Sequence, residues 1–288
     1  MRLFALVALT MTAFAANSVL NRMALATGAI GPGDFAAIRT ISGAVMLLAL
    51  LALFGRRPRL IAPGRTLGVL SLTVYMLGFS FAYITLDAGL GALVLFGMVQ
   101  LTMFTGGLLG GERPAPLRWA GAAIAFAGLA FLLWPGGAAA PDALGGLLMA
   151  AAGVGWGLYS LAGRGPRDPL AETAANFTLA APLALVPLVL IPDLAAPRPS
   201  GILLAVLSGA VTSGLGYALW YRVLPRLAPS LAAVAQLTVP VIAAAGGVAL
   251  LGEAPSARFA LATVLVLGGV GLSIAARTRQ RISASSGS

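Results

Sequence analysis

The sequence contains no cysteine, no histidine and no lysine, so its 18 basic residues are all arginine, set against 8 acidic residues. Without cysteine there is no disulfide and no thiol nucleophile. Without histidine or cysteine there is no His/Cys metal centre and no imidazole base, and without lysine there is no Schiff base. The acids do little to fill the gap, because Asp34, Asp87, Glu112, Asp142, Asp168, Glu172, Asp193 and Glu253 all fall between apolar runs or near their ends. No catalytic residue, metal site or cofactor is therefore assigned, and a polytopic membrane enzyme is kept only as an alternative of a different class. Charge is scarce throughout: 9% of residues are charged and 59% are hydrophobic, where soluble domains carry roughly 25% charged residues. Such a chain lacks the material to coat a water-soluble globule, which makes lipid its solvent. The net charge of +10 does not point to nucleic acid, because the arginines are scattered through short gaps and no basic domain gathers them.

What the chain has is long apolar runs. A spanning helix needs ~20 mainly apolar residues, and ten runs qualify: Leu3–Leu20, Phe35–Phe54, Thr66–Leu86, Ala88–Leu109, Pro116–Trp134, Leu144–Leu161, Ala171–Ile191, Ile202–Tyr221, Leu227–Leu251 and Ala257–Ala276. Gly, Pro and charge mark the breaks, as in Gly31-Pro32-Gly33-Asp34, Glu112-Arg113-Pro114 and Gly165-Pro166-Arg167-Asp168-Pro169. The gap at Asp87 is so short that the third and fourth runs form a tight hairpin. Ser283–Ser288 is rich in serine and glycine and reads as a disordered tail. Arg2, the apolar stretch after it and Ala13-Phe14-Ala15 imitate a secretory signal; a retained first span is expected, since cleavage would leave nine spans and break the repeat described next.

Arginine placement sets the orientation, because cytoplasmic segments are enriched in basic residues. With the N-terminus inside, the inner segments hold Arg2, Arg56, Arg57, Arg59, Arg65, Arg113, Arg118, Arg164, Arg167, Arg222, Arg226, Arg277, Arg279 and Arg281, and the outer loops only Arg198 and Arg258. That bias requires an even number of spans and puts both termini in the cytoplasm. Arg22 and Arg39 lie near the outer ends of the first two spans.

The chain also repeats itself. Shifted by 141 residues, Leu86–Gly128 falls on Leu227–Gly269, matching Leu90 with Leu231, Ala92 with Ala233, Gly106 with Gly247 and, most sharply, Gly111-Glu112-x-Pro114 with Gly252-Glu253-x-Pro255. The expected fold is an all-α membrane protein of ten transmembrane helices in two five-helix repeats, residues 1–138 and 139–282, followed by the tail 283–288. Five is odd, so the second repeat is inverted, and inverted repeats are the basis of alternating access around a midplane site.

The Asn17–Arg22 stretch, Arg39 early in the second span and the Gly-Glu pairs after the fourth and ninth, in this order and spacing, resemble the drug/metabolite transporter superfamily in its EamA-type families, over nearly the whole chain. Within it the chain looks most similar to the YddG-type amino acid exporters of bacterial inner membranes. The resemblance implies a central cavity lined by spans one to four and six to nine, with five and ten peripheral. It implies a multi-pass inner-membrane transporter exporting aromatic and other neutral amino acids, or similar small metabolites, working as a monomer in the lipid bilayer with no nucleic-acid partner. An exporter of lipophilic cationic drugs is the alternative substrate class; such exporters often place an acid in the cavity, and none is evident. A channel is the third class, and nothing resembles a selectivity filter. The absence of lysine disfavours sugar-phosphate and nucleotide-sugar carriers within the superfamily.

Candidate substrate-binding residues come from polar and aromatic groups inside the apolar runs. Tyr75, Phe79 and Tyr83 recur every four residues on one helical face; they suit an aromatic cavity wall, and equally packing, or for Tyr83 an interfacial belt. Trp156 and Tyr159 share a face in span six; Tyr217, Trp220 and Tyr221 do so in span eight, with Trp156 preferred to Trp220. Asn17, Asn176 and Gln236 carry amides that need partners in hydrocarbon; they could bind the amino and carboxyl groups of a zwitterion or join helices, and Asn17 with Gln236 is the preferred pair. For Arg39, snorkelling outward or pairing with Asp34 is weighed above holding a substrate carboxylate. Pro182, Pro187 and Pro240 interrupt helical hydrogen bonding and are hinge candidates. With no acid near a midplane, facilitated rather than proton-coupled movement is expected.

Overall fold

The computed structural model describes residues 2–136, 140–163, 168–191, 196–227 and 229–286; the loop residues Arg164, Arg167 and Asp193 and the final 287–288 of the tail lie outside them. Among the described residues, 10 helices are long and apolar enough to cross a membrane: Arg2–Ala26, Pro32–Leu53, Arg65–Ala82, Ala88–Leu109, Pro116–Leu133, Ala143–Ala162, Pro169–Leu190, Pro199–Arg226, Val234–Leu251 and Ala257–Ala275. They are spans one to ten, and each coincides with one apolar run. The helix of span ten continues to Ser286, through the first residues of the segment that reads as an unstructured tail; no glycine or proline intervenes to stop it.

The helix ends follow from local chemistry. Pro32, Pro116, Pro169 and Pro199 open spans two, five, seven and eight, where a missing N–H costs no hydrogen bond. The Asp142 carboxylate accepts from Gly145 N, and that of Asp168 from Leu170 N and Ala171 N, capping spans six and seven. Spans four and nine end in Gly111 (φ 82°) and Gly252 (φ 66°), both left-handed. A side chain there would be strained, and the turn lets Glu112 N donate to Gly107 O at 2.9 Å and Glu253 N to Gly247 O at 3.1 Å. This shared exit geometry is the physical reason the Gly-Glu pair recurs in both halves.

The packing shows the same duplication. Span one on span eight corresponds to span six on span three, one on nine to six on four, and two on eight to seven on three; the contacts two–seven, four–nine and five–ten map onto themselves. With five spans in each half, the second half crosses the bilayer in the opposite sense to the first. Spans five and ten lie together at the side, where Gly121 and Gly269 bring the backbones so close that a Cβ on either would press on the other's carbonyl.

Three spans are not continuous α-helices. Span seven divides into Pro169–Ala184 and Val186–Leu190, and span nine into Pro229–Gln236 and Thr238–Leu251. Span eight is π-helical over Leu207–Leu215. The three prolines sit at or beside two of these breaks: Pro182 just before the one in span seven, Pro187 just after it, and Pro240 in the first turn of the second piece of span nine.

Candidate functional site

The candidate aromatics form one connected column through the interior. On span three the ring centroids of Tyr75 and Phe79 are 5.4 Å apart and those of Phe79 and Tyr83 4.8 Å. Trp156 of span six is the junction: its ring lies 5.0 Å from Tyr75, 5.4 Å from Tyr159 and 5.0 Å from Tyr217 of span eight. Tyr217 meets Phe177 and Phe14, and Phe14 meets Trp220, so Trp220 joins the column only through Phe14. Tyr83 is fully buried, and its hydroxyl donates to Ala88 O at 3.2 Å; it is an interior residue, not a belt residue. The rings touch, so the column is closed in this conformation.

The column runs between two faces. Towards the arginine-rich face, Asn176 Nδ2 donates to the Tyr159 hydroxyl at 3.5 Å and Asn176 Oδ1 accepts from Arg65 Nη1 at 2.8 Å. Arg65 also pairs with Glu172 Oε2 at 3.1 Å, and Arg56, just beyond the end of span two, pairs with Asp168 at the start of span seven, so span three and the segment after span two are both tied to span seven. A cavity of about 30 Å³ lies among Arg65, Tyr159, Glu172, Asn176 and Tyr221, room for about one or two waters. On the opposite face, Arg22 of span one donates to Glu253 Oε1 at 3.2 Å, to Tyr83 O at 3.2 Å and to Ile84 O at 2.9 Å, and lies 3.5 Å from Asp87 Oδ1. The Glu253 carboxylate in turn accepts from Ala88 N at 2.9 Å. One cluster thus stitches spans one, three, four and nine beside a cleft of about 270 Å³. Its counterpart in the first half, Glu112, pairs with Arg118 at 2.7 Å. Among the described residues no cluster of acids is arranged to hold a metal ion.

Glu253 titrates abnormally. Burial pushes its carboxyl above the usual range, and the neighbouring Asp87 adds to this against the pull of Ala88 N–H and Arg22. A carboxyl raised in the folded chain stabilises the fold below its unfolded pKa and loses that contribution as the pH rises through the folded value. Glu253→Gln removes the titration. The melting temperature of the wild type in detergent, relative to this variant, should therefore rise as the pH falls from neutral towards the ordinary carboxylate range; parallel curves would contradict the perturbation.

Beside the column runs a polar seam that the sequence only half disclosed. Asn17 Oδ1 accepts from Ser208 Oγ at 2.9 Å, Thr212 Oγ1 at 2.5 Å and Ser213 Oγ at 3.4 Å. Asn21 Nδ2 donates to Ser208 Oγ at 3.3 Å, and Ser80 Oγ to Asn21 Oδ1 at 3.3 Å. The three hydroxyls come from the π-helical stretch of span eight, a distortion often found at functional sites. Gly209 in the same stretch lets span two approach until a Cβ would collide with Arg39 O and Ser42 Oγ.

Arg39 completes the seam. It is fully buried, ~10 Å along span two from its start at the helical rise, rather than at the outer interface. Its Nη2 donates to the Tyr75 hydroxyl at 2.9 Å, and Nε and Nη2 both approach Ser213 Oγ at 3.4 Å. The guanidinium carbon stands 4.7 Å from the Phe79 ring centroid and 5.3 Å from that of Tyr75. Neither snorkelling nor pairing with Asp34 occurs: the residue points inward, and among the described residues no carboxylate forms an ion pair with it. A desolvated cation–π contact is worth about 2 kcal/mol, against several kcal/mol for burying an ion. Two buried polar atoms here make no well-formed hydrogen bond, Arg39 Nη1 and the Tyr217 hydroxyl.

Of the candidates, Tyr75, Phe79, Tyr83, Trp156, Tyr159 and Asn176 lie along one column, and Asn17 reaches it through Ser213 and Arg39. Gln236 does not join them. It is half-buried at the break of span nine, and among the described residues no hydrogen bond links it to Asn17. The reason is one of level: span nine meets span one where Gly246 faces Val19, two residues from Asn17 but ten from Gln236, which puts Gln236 ~15 Å along span nine from that contact.

The model of the EamA-like transporter family matches the chain twice, over residues 2–134 and 143–275, the second match starting where the 141-residue shift places it. The uncharacterized protein PA1977 of Pseudomonas aeruginosa is 48% identical over 276 residues, 96% of each chain. A solved crystal structure superposes with a TM-score of 0.63 at 27% identity, covering 92% of this chain and 97% of that one.

Proposed function

The chain belongs to the EamA-like transporter family, a family of small-molecule transporters and not enzymes, and from that premise we propose that it exports neutral, chiefly aromatic, amino acids across the bacterial inner membrane. The observation that carries this reading is the buried conjunction of an aromatic column with a guanidinium that no acid among the described residues pairs with. Rings suit an aromatic or aliphatic side chain, and the unbalanced positive charge suits a carboxylate and repels a lipophilic cation. A cationic drug therefore fits the same interior poorly. Tyr75, Phe79, Trp156, Tyr159, Asn17 and Asn176 form the binding region in this reading; Gln236 has no place in it.

Movement is by alternating access of a monomer, with the inverted halves rocking about the column and the breaks at Pro182, Pro187 and Pro240 absorbing the bending. It is facilitative. Proton coupling needs a site whose occupancy biases the two access states, and among the described residues the acids inside the spans, Asp34 and Glu172, sit in the first turns of spans two and seven, away from the middle of either. The test is the purified protein in liposomes with labelled tryptophan, phenylalanine and leucine, and a lipophilic cation for comparison. Amino acids should run down their own gradients and should not accumulate from equal concentrations when a pH or sodium gradient is imposed. Ion-driven accumulation would overturn the facilitative reading, and movement of the cation alone would overturn the substrate class.

A further inference from the structure

We infer that Arg39 Nη1 and the Tyr217 hydroxyl together receive the carboxylate of the transported solute, so that the protein selects acids over the corresponding amides and amines. This rests on the transporter reading and assigns its charge selectivity to two atoms.

Both atoms are buried, and neither makes a well-formed hydrogen bond; the Tyr217 hydroxyl lies against that of Tyr75, which is already taken up by Arg39 Nη2. A single unpaired group in a membrane interior is already costly. Here there are two, and they are neighbours: Arg39 donates to the Tyr75 hydroxyl, and Tyr217 shares that hydroxyl at poor geometry while lying within electrostatic reach of Arg39. The guanidinium is held rigidly. Its Nε and Nη2 are committed to Ser213 and Tyr75, and the Phe79 ring supports its face, which leaves Nη1 as the donor free for a ligand. Arginine keeps its charge when buried, and a planar fork of donors fits a planar carboxylate. One N–H donor and one hydroxyl match its two oxygens. A phosphate, with about two charges and three oxygens, would remain under-compensated in a seam whose other groups are neutral.

The surroundings fix which way the solute lies. Tyr217 packs against Trp156 and Phe177, and Trp156 against Tyr75 and Tyr159. A solute whose carboxylate meets Arg39 therefore has its side chain among these rings. The Asn17–Ser213 seam serves a different purpose: it holds Ser213, and through it the guanidinium, in position.

The test compares tryptophan, tryptophanamide and tryptamine with wild-type protein in liposomes, and then Tyr217→Phe and Arg39→Gln. The wild type should move tryptophan at least tenfold better than the amide or the amine. Tyr217→Phe, which keeps the ring packing and loses one hydrogen bond, should raise KM for tryptophan several-fold and leave the maximal rate near that of the wild type. Arg39→Gln should abolish the preference for the acid. If Arg39→Gln does not fold, the wild-type comparison and Tyr217→Phe still decide. Equal movement of tryptophan and its amide by the wild type, or an unchanged KM in Tyr217→Phe, overturns the assignment and leaves amino acid transport intact. Failure of the wild type to move any amino acid defeats the functional reading instead. In that case indole-3-propionate, tested as a stabilising ligand in thermal melts of the wild type and Arg39→Gln, decides the carboxylate site: stabilisation of the wild type alone supports it, and equal or no stabilisation overturns it.

Discussion

Asn17→Asp is expected to leave the fold standing and to stop transport. The Asn17 side-chain oxygen accepts from three hydroxyls of the π-helical stretch, and an aspartate keeps that acceptor while adding a negative charge. Ser213 Oγ lies 3.4 Å from both Asn17 Oδ1 and Arg39 Nε, so the new carboxylate stands one hydroxyl away from the buried guanidinium. It becomes a counter-ion that Arg39 lacks among the described residues. The charge that would attract an anionic group is then neutralised from within, at a cost to the solute of about 3 kcal/mol for a buried charge contact, on the order of 100-fold in apparent affinity. Asn17→Leu should behave differently. It leaves the three hydroxyls short of an acceptor, but Thr212 already donates to Ser208 O and the others can turn to their own helix, so the loss is about 1–3 kcal/mol of stability. Melting curves in detergent and solute exit from liposomes separate the two outcomes. An Asn17→Asp protein that melts like the wild type and transports at full rate would sink the idea of an uncompensated guanidinium at the centre.

The span pattern was legible because length and composition decide it: each apolar run became one span, and Gly, Pro and Asp at the gaps became the caps that end them. The repeat was legible through Gly111-Glu112 and Gly252-Glu253 because a left-handed exit followed by a returning carboxylate constrains residue type strongly. The aromatic column was legible from the four-residue spacing on span three and from the two aromatics of span six. The polar seam was less so. Ser208, Thr212 and Ser213 belong to a π-helical turn, and a 3.6-residue wheel does not gather them on one side. The mid-span serine and threonine pattern was the available signal. Arg39 was misplaced for an energetic reason. A lone arginine near a helix end is expected to reach water; here the packing of Gly209 against its backbone, the Phe79 ring beneath its guanidinium and the hydrogen bonds to Tyr75 and Ser213 keep it inside. Asn17 and Gln236 suggest each other as two polar residues in an apolar list, but they are not brought together, because the level at which two helices touch decides whom each one meets.

Removing one of the two face clusters should tip the protein towards opening on that face. Arg22 and Glu253 hold spans one, three, four and nine together on one side, and Arg65, Glu172 and Asn176 hold spans three and seven on the other. Each joins elements that must separate if solute is to pass there, and neither touches the aromatic column except through Tyr83 and Tyr159. A latch stabilises only the state in which it is closed, so its loss shifts the balance between states by its own worth. For hydrogen bonds to charged groups that is about 1.5–3 kcal/mol, or roughly 10- to 150-fold in the population ratio. The absence of cysteine makes the shift measurable. A single Thr212→Cys, at a site 7% exposed in the closed interior, reports on opening when cells are treated with a membrane-impermeant maleimide from outside. In that background Glu253→Ala should raise the labelling rate at least tenfold and Arg65→Ala should lower it, because the second favours opening towards the cytoplasm. The double variant should fall back towards the starting rate, since both latches then weaken together. Acceleration by both single variants would indicate general loosening of the bundle, and the two clusters would then be structural staples with no part in alternating access.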